Sequence, residues 1–235
     1  MKGRIGNIDL ERLEVQPGDL VIDVGCGDGA LAELLSGAGL RVIGVEPAPY
    51  LRERFERRLS AGNGARVVDA VAERLPFDDG EVPAAIITEV LEHVADPEVA
   101  VRELHRVIRP GGMLCLAVPT SFTELLFWRL HPGYASNATH VRILTKPELR
   151  RLVRSAGFEV VHWEGRNYRA ALSWVFHALL RSPSDHAGVI QGHLWVDRVL
   201  GAGWVALERV RLAPAVDWVG NRLWPKSWYV YCRRA

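Results

Sequence analysis

The hydrophobic pattern changes rhythm two-thirds of the way along the chain. From residue 20 to about residue 163, short apolar runs rich in β-branched residues occupy 21–24, 42–45, 66–68, 85–88, 113–118 and 158–163. Segments of helical period separate them at 30–37, 50–59, 97–107 and 146–156. Runs this apolar are buried on both faces, which requires a parallel sheet covered by helices on each side. The pattern predicts an α/β doubly wound fold.

Beyond residue 167 the alternation stops. Ile190, Leu194, Val196, Val199, Leu200, Trp204, Leu207 and Val210 recur at helical spacing, and 227–232 (Ser-Trp-Tyr-Val-Tyr-Cys) reads as a last strand. The prediction is a mostly parallel sheet of seven strands, with a core over 1–166, a helical insertion over 167–225 and the closing strand and tail over 226–235. Runs 158–163 and 227–232 should pair at the sheet edge. Seven of the eight tryptophans lie at or after Trp163, so the insertion is rich in large amphipathic side chains. Two readings of it stand: a cap over an apolar or aromatic acceptor, or core packed between helices.

Charge narrows the partners. A formal net charge of +1 supplies no basic field, so no nucleic-acid partner is expected. The arginines of 51–59 alternate with Glu53 and Glu56 and read as a solvated helix face. Cys26, Cys115 and Cys232 are odd in number and widely spaced, which points to reduced thiols and a cytoplasmic location. Residues 1–9 are too polar for the apolar stretch of a secretory leader. The most apolar run, 170–180, is too short to span a bilayer, leaving peripheral contact as the membrane option.

The densest local signal is Val21-Ile22-Asp23-Val24-Gly25-Cys26-Gly27-Asp28-Gly29. A buried strand runs into glycines that permit a sharp turn and close ligand approach, then into a helix whose first N–H groups are free. Glu46 follows Gly29 by seventeen residues, at the end of the next strand, where a carboxylate can accept both hydroxyls of a ribose. Gly25, Gly27 and Ala30 also satisfy the relaxed dinucleotide pattern, so the loop alone indicates a nucleoside without choosing which. Asp23 and Asp28 suit an ammonium or sulfonium ligand and oppose a pyrophosphate.

This loop, together with Leu75-Pro76-Phe77, Glu89-Val90-Leu91-Glu92-His93-Val94, the 104–112 stretch and His140-Val141-Arg142, resembles class I S-adenosylmethionine (SAM)-dependent methyltransferases. The subgroup is that of ubiquinone and menaquinone biosynthesis and of many natural-product enzymes. The resemblance covers about residues 15 to 165. It implies SAM as cofactor, with Asp23, Gly25, Cys26, Gly27 and Gly29 along its methionine part, Glu46 on the ribose and Pro47 beside the adenine. Glu89 would also border the cofactor. Family members often carry an acid where Val71 stands, so the adenine would be read by backbone around Ala72 or by Glu73. Arg109-Pro110-Gly111-Gly112 would end a helix and turn the chain into the next strand.

Chemistry should follow the fourth strand, at the carboxyl edge of the sheet. On a helical turn Glu92 and His93 lie three and four residues after Glu89, so all three could face one way. His93 could be a general base. Alternatively Glu89, Glu92 and His93, joined by His140, hold a divalent metal that lowers the pKa of an acceptor hydroxyl. In the third reading Glu92 pairs locally and His93 packs beside the cofactor. The expected catalytic set is His93, Glu92 and His140, with His131 and Tyr134 behind them. The expected reaction is O-methylation of a small-molecule hydroxyl on a lipophilic, aromatic or glycosylated acceptor. C-methylation of a quinol-like ring and a non-catalytic SAM-binding scaffold stand as alternatives. A nucleotide oxidoreductase is a remoter one.

Overall fold

The protein is described by a computed structural model over residues 3–59, 64–130, 141–180 and 194–235. A two-strand hairpin, β1 (Arg4–Ile5) and β2 (Ile8–Asp9), precedes the main sheet. The Asp9 N–H donates to the hydroxyl of the fully buried Tyr231 at 2.8 Å, which ties the hairpin to the core.

The chain then alternates β3 (Leu20–Val24), α1 (Ala30–Gly37), β4 (Arg41–Val45), α2 (Pro49–Leu59), β5 (Ala65–Val68), β6 (Val82–Thr88), α3 (Pro97–Val107) and β7 (Ile108–Pro119). After α4 (Ser121–Leu130) and α5 (Lys146–Ser155) come β8 (Phe158–Arg166), α6 (Tyr168–Leu179), α7 (Leu194–Arg209), α8 (Ala213–Leu223) and β9 (Ser227–Arg234). The seven-stranded sheet has the order β5-β4-β3-β6-β7-β9-β8, with β3 through β7 parallel. It is the expected doubly wound sheet with a helical insertion before its last strand, and that strand lies beside β8 as its pattern requires.

Two compact units divide the chain. One comprises 1–118, 147–163 and 229–235; the other comprises 119–146 and 164–228. In the first, apolar residues from β3, β4, β6 and β7 meet Ala32 and Leu35 of α1, Phe55 and Leu59 of α2, and Tyr229 and Tyr231. Helix α3 buries Pro97, Ala100, Val101, Leu104 and Val107, the i, i+3, i+4 spacing of a single stripe. Its start is fixed by Asp96, whose side chain accepts the N–H groups of Glu98 and Val99 at 2.9 and 3.1 Å.

The turn expected at Arg109–Gly112 takes a different form. Ile108 already pairs with Val82, and the next matched pair is Ala84 with Met113, so these four residues bulge out of a strand already begun. Gly112 is needed there: a Cβ would lie 2.6 Å from Ile108 Cγ2 and 2.7 Å from the Pro83 carbonyl.

In the second unit, the hydroxyls of Thr120 and Thr123 bond each other at 2.9 Å and both reach the Pro225 carbonyl. The Phe127 and Trp174 rings meet at 4.8 Å, joining α4 to α6. The Tyr168 N–H donates to Asn221 Oδ1 at 3.0 Å, and the Tyr168 ring lies where a Cβ on Gly220 would stand, joining α6 to α8.

Candidate functional site

Strand β3 is central, paired on one side with β4 and on the other with β6. Asp23 therefore sits opposite Gly44 and Ile86 and is only 2% exposed. The chain leaves β3 through Gly25, Gly27 and Gly29, at φ of 72°, 56° and 83°, values L residues adopt at a cost. Both the Gly25 and Cys26 N–H groups donate to the Val45 carbonyl, at 2.8 and 3.2 Å, which pins the loop to the end of β4.

The glycines differ in what surrounds them. A Cβ on Gly25 would lie 2.2 Å from Val90 Cγ2, and one on Gly29 would lie 2.6 Å from the Phe55 ring. At Gly27 a Cβ would meet nothing within 4 Å. Gly25 and Gly29 are thus small for packing, while Gly27 faces open space. The Cys26 side chain turns inward, 8% exposed, against the space left by Gly44, and burial with nearby Asp23 and Glu46 raises its thiol pKa. Its part at the loop is through backbone.

Two acids close the carboxyl ends of β3 and β4. Burial first, then the charge of Glu46, pushes the Asp23 pKa up to about 7. Asp23 Oδ2 is buried and has no hydrogen-bond partner among the described residues. Glu46, 6% exposed, accepts the N–H groups of Gly27 at 3.1 Å and Ala48 at 2.9 Å.

Arginines brace this arrangement from outside. Arg52 donates to the carbonyls of Glu46 and Pro47 at 2.9 and 2.6 Å and pairs with Asp69 at 2.9 Å. Arg58 pairs with Asp28 at 2.6 Å and with Glu33 at 3.2 Å. The face of 51–59 that reads as merely solvated in sequence thus directs two arginines onto the glycine loop and the turn after β4. Only the spacing of Arg52, six residues after Glu46, could have signalled one of these contacts.

Past β5, Val71 is exposed and its carbonyl accepts the Arg74 N–H at 3.1 Å, making a tight turn. Ala72 is buried, and Glu73 Oε1 accepts the Ala95 N–H at 3.1 Å. A cleft of about 630 Å³ opens beside this turn, lined by Asp69, Val71, Arg74, Phe77, Asp78 and Glu81 among others.

Residues 89–93 do not form the helical turn that would align three side chains. Glu89 has φ 55° and donates its N–H to Ala117 O at 2.9 Å; His93 N–H closes a turn on Val90 O at 2.8 Å. Glu92 is buried, whereas His93 is exposed. Among the described residues no three His, Cys, Asp or Glu side chains gather into a metal-holding group, so Glu89, Glu92 and His93 are not a preassembled ligand set. His140, His131 and Tyr134 lie outside the described residues.

Known proteins resemble this chain in sequence and in fold. The profile of a family described as a methyltransferase domain matches residues 22–116, from within β3 into β7. A "Probable S-adenosylmethionine-dependent methyltransferase" of Mycolicibacterium smegmatis is 32% identical over 160 residues, 65% of this chain and 57% of that protein. An uncharacterized methyltransferase of Synechocystis is 30% identical over 164 residues, 67% of this chain and 75% of that one. The geranyl diphosphate C-methyltransferase of Streptomyces coelicolor A3(2) shares the fold, with a TM-score of 0.63 at 16% identity, over 96% of this chain and 76% of that one. The chain spans about half the length of the first curated relatives it matches, 47% of one and 57% of another. The matched stretch contains the glycine loop, the acid after β4 and the turn after β6, and with them the chain belongs to the class I SAM-dependent methyltransferases.

Proposed function

We infer that this chain binds SAM at the glycine loop and transfers its methyl group to a small-molecule acceptor, an oxygen of a lipophilic, aromatic or glycosylated metabolite. The observation that carries the cofactor reading is the acid pair. Asp23 Oδ2 is a buried carboxylate oxygen with no hydrogen-bond partner among the described residues, and four residues on Gly27 opens onto free space. A buried carboxylate of this kind calls for a cationic or donor-bearing partner. The ammonium of a methionine moiety supplies one, and Glu46 offers two acceptor oxygens to vicinal hydroxyls. When bound, the cofactor supplies an activated methyl group.

The chain's own residues then orient, exclude water and handle a proton. Asp23 fixes the methionine end of the cofactor and Glu46 its ribose, and the backbone of Gly25 to Gly29 lets it approach closely. The turn after β6 stands at the carboxyl edge of the sheet, where ligands of open α/β folds bind. His93, exposed on that turn, takes the proton from an acceptor hydroxyl, and the buried Glu92 beside it in sequence is the second candidate.

Isothermal titration with SAM tests the site, and label transfer from methyl-labelled SAM tests the reaction. Asp23→Ala and Glu46→Ala should each abolish measurable binding; unchanged affinity in both would remove the site. His93→Ala should lower turnover about 100- to 10,000-fold with SAM affinity intact. Full turnover in that variant, with chelator also without effect, favours methylation of an activated ring carbon. Binding without label transfer to any acceptor leaves the scaffold reading.

A further inference from the structure

We propose that the outward faces of α7 and α8 form a surface that docks on an anionic lipid bilayer, lying in its headgroup region. At 3.6 residues per turn, Trp195, Val199, Ala202 and Ala206 fall within about 60° of one another on α7, and all four are exposed. Trp195 and Val199 are 56% and 62% exposed. Trp204, which is 8% exposed, lies on the opposite side, where its ring receives Arg169 at 4.0 Å. The helix therefore has one apolar face packed and a second apolar face left outside.

Helix α8 repeats the arrangement. Its exposed residues are Pro214, Ala215, Trp218, Val219, Arg222 and Leu223, with Trp218 at 65% and Leu223 at 79%. Between the helices, Val210 and Leu212 are 62% and 53% exposed. Contiguous apolar exposure on this scale marks an interaction surface.

The charges select the partner. Arg198 and Arg209 border the α7 stripe, exposed Arg211 follows it, and Arg222 lies over the Trp218 ring at 5.4 Å. The acids of the same stretch are engaged elsewhere. Asp197 Oδ1 accepts the Ser173 hydroxyl at 2.9 Å and lies 3.2 Å from His177 Nε2. Glu208 accepts the Trp204 indole N–H at 2.8 Å, and Asp217 lies on the packed side of α8, its pKa raised mainly by burial. An apolar stripe with tryptophan and arginine at its edge is the composition of an interfacial helix. A two-fold pairing of this face with itself would set arginine against arginine, whereas anionic headgroups complement it. Among the described residues no helix is long and apolar enough to cross a bilayer, so the contact is peripheral.

The surface does not depend on methyl transfer, and its test needs no cofactor. The full chain is floated with phosphatidylcholine vesicles, pure or with about a third of the headgroups replaced by phosphatidylglycerol. It should rise with the mixed vesicles and bind pure phosphatidylcholine at least tenfold more weakly. The triple change Arg198→Gln, Arg211→Gln, Arg222→Gln should weaken binding to mixed vesicles about a hundredfold. The change Trp195→Ser, Trp218→Ser, Leu223→Ser should remove it, with circular dichroism and the urea midpoint unchanged in both. A wild-type chain that stays in the aqueous fraction with mixed vesicles overturns the proposal. So does binding that neither set of changes weakens, or light scattering that shows a dimer dissociated by Trp218→Ser, which would make a second copy the occupant.

Discussion

The Glu46 carboxylate accepts the Gly27 N–H at 3.1 Å across nineteen residues of sequence, so the acid after β4 holds the glycine loop. With Ala48 N–H on its other oxygen, Glu46 completes its local geometry through backbone donors. Ligand hydroxyls would add to or replace these bonds at fixed positions, which is preorganisation.

Glu46→Gln separates shape from charge. The amide keeps one acceptor oxygen and puts an NH₂ opposite a backbone N–H. It should weaken SAM binding about 100-fold by calorimetry, in line with loss of hydrogen bonds to a charged group. Amide exchange at Gly27 and Ala48 should quicken in the free protein. An affinity within about threefold of wild type would show that this carboxylate does not hold the ligand.

Asp23 makes both stability and ligand affinity depend on pH. Its folded pKa of about 7 stands above the 3.8 of the unfolded chain, so the folded state holds the proton more tightly. That stabilisation is fully present below about pH 4 and is lost as pH rises through about 7. A cationic ligand needs the ionised form, so SAM affinity should fall tenfold per pH unit below about 7 and level off above it. Asp23→Asn should raise the melting temperature of the free protein at pH 8, flatten the pH profile and weaken SAM. Titrations in two buffers of different ionisation enthalpy check it, since wild type should release a proton on binding at pH 6 and the variant should not.

The difference between the Asp23 and Arg52 readings shows what sequence can carry here. A five-residue apolar strand ending in glycines constrains Asp23 so tightly that its place and burial follow from pattern alone. Arg52 and Arg58 sit in a helix with alternating charges, and nothing in that alternation says which arginines bend toward the loop. The two-residue strands β1 and β2 are too short to show a period. Helix α4 follows β7 after a single residue, so its apolar positions merge with those of the strand. Glu89 and His93 follow β6, but the positive φ at Glu89 that breaks their common face has no signature in a non-glycine residue.

The contrast between Gly25 and Gly27 yields a paired prediction. Gly25→Ala puts a methyl 2.2 Å from Val90 Cγ2 at a φ of 72° and should unfold at markedly lower urea. Gly27→Ala meets no atom within 4 Å, so it incurs only the left-handed backbone strain, about 1–2 kcal/mol. It should stay folded and still lose SAM, because its methyl enters the space the ligand needs. Urea midpoints beside calorimetric affinities separate the two, and equal affinity in Gly27→Ala and wild type would place the ligand elsewhere.

Arg106 is the fastening of the segment that lines the cleft after β5. It donates to the carbonyls of Leu75 and Phe77 at 3.2 and 2.9 Å, pairs with Asp79 at 2.7 Å, and binds both oxygens of Glu103 at 2.7 and 2.9 Å. Glu103 Oε1 also accepts the Leu75 N–H at 2.8 Å, and the Arg106 bonds hold its pKa below the usual carboxylate range. The stability this gives is present above the ordinary carboxylate pKa and is lost as pH falls through the lowered one. Arg106→Ala should cost about 2 kcal/mol by urea unfolding at pH 7, and less at pH 3. Arg106→Lys should recover little, because one ammonium cannot reproduce the planar fork that meets two carboxylate oxygens and two carbonyls. If lysine restored full stability, charge alone would explain the site, and the geometry of residues 75–79 would not depend on this side chain.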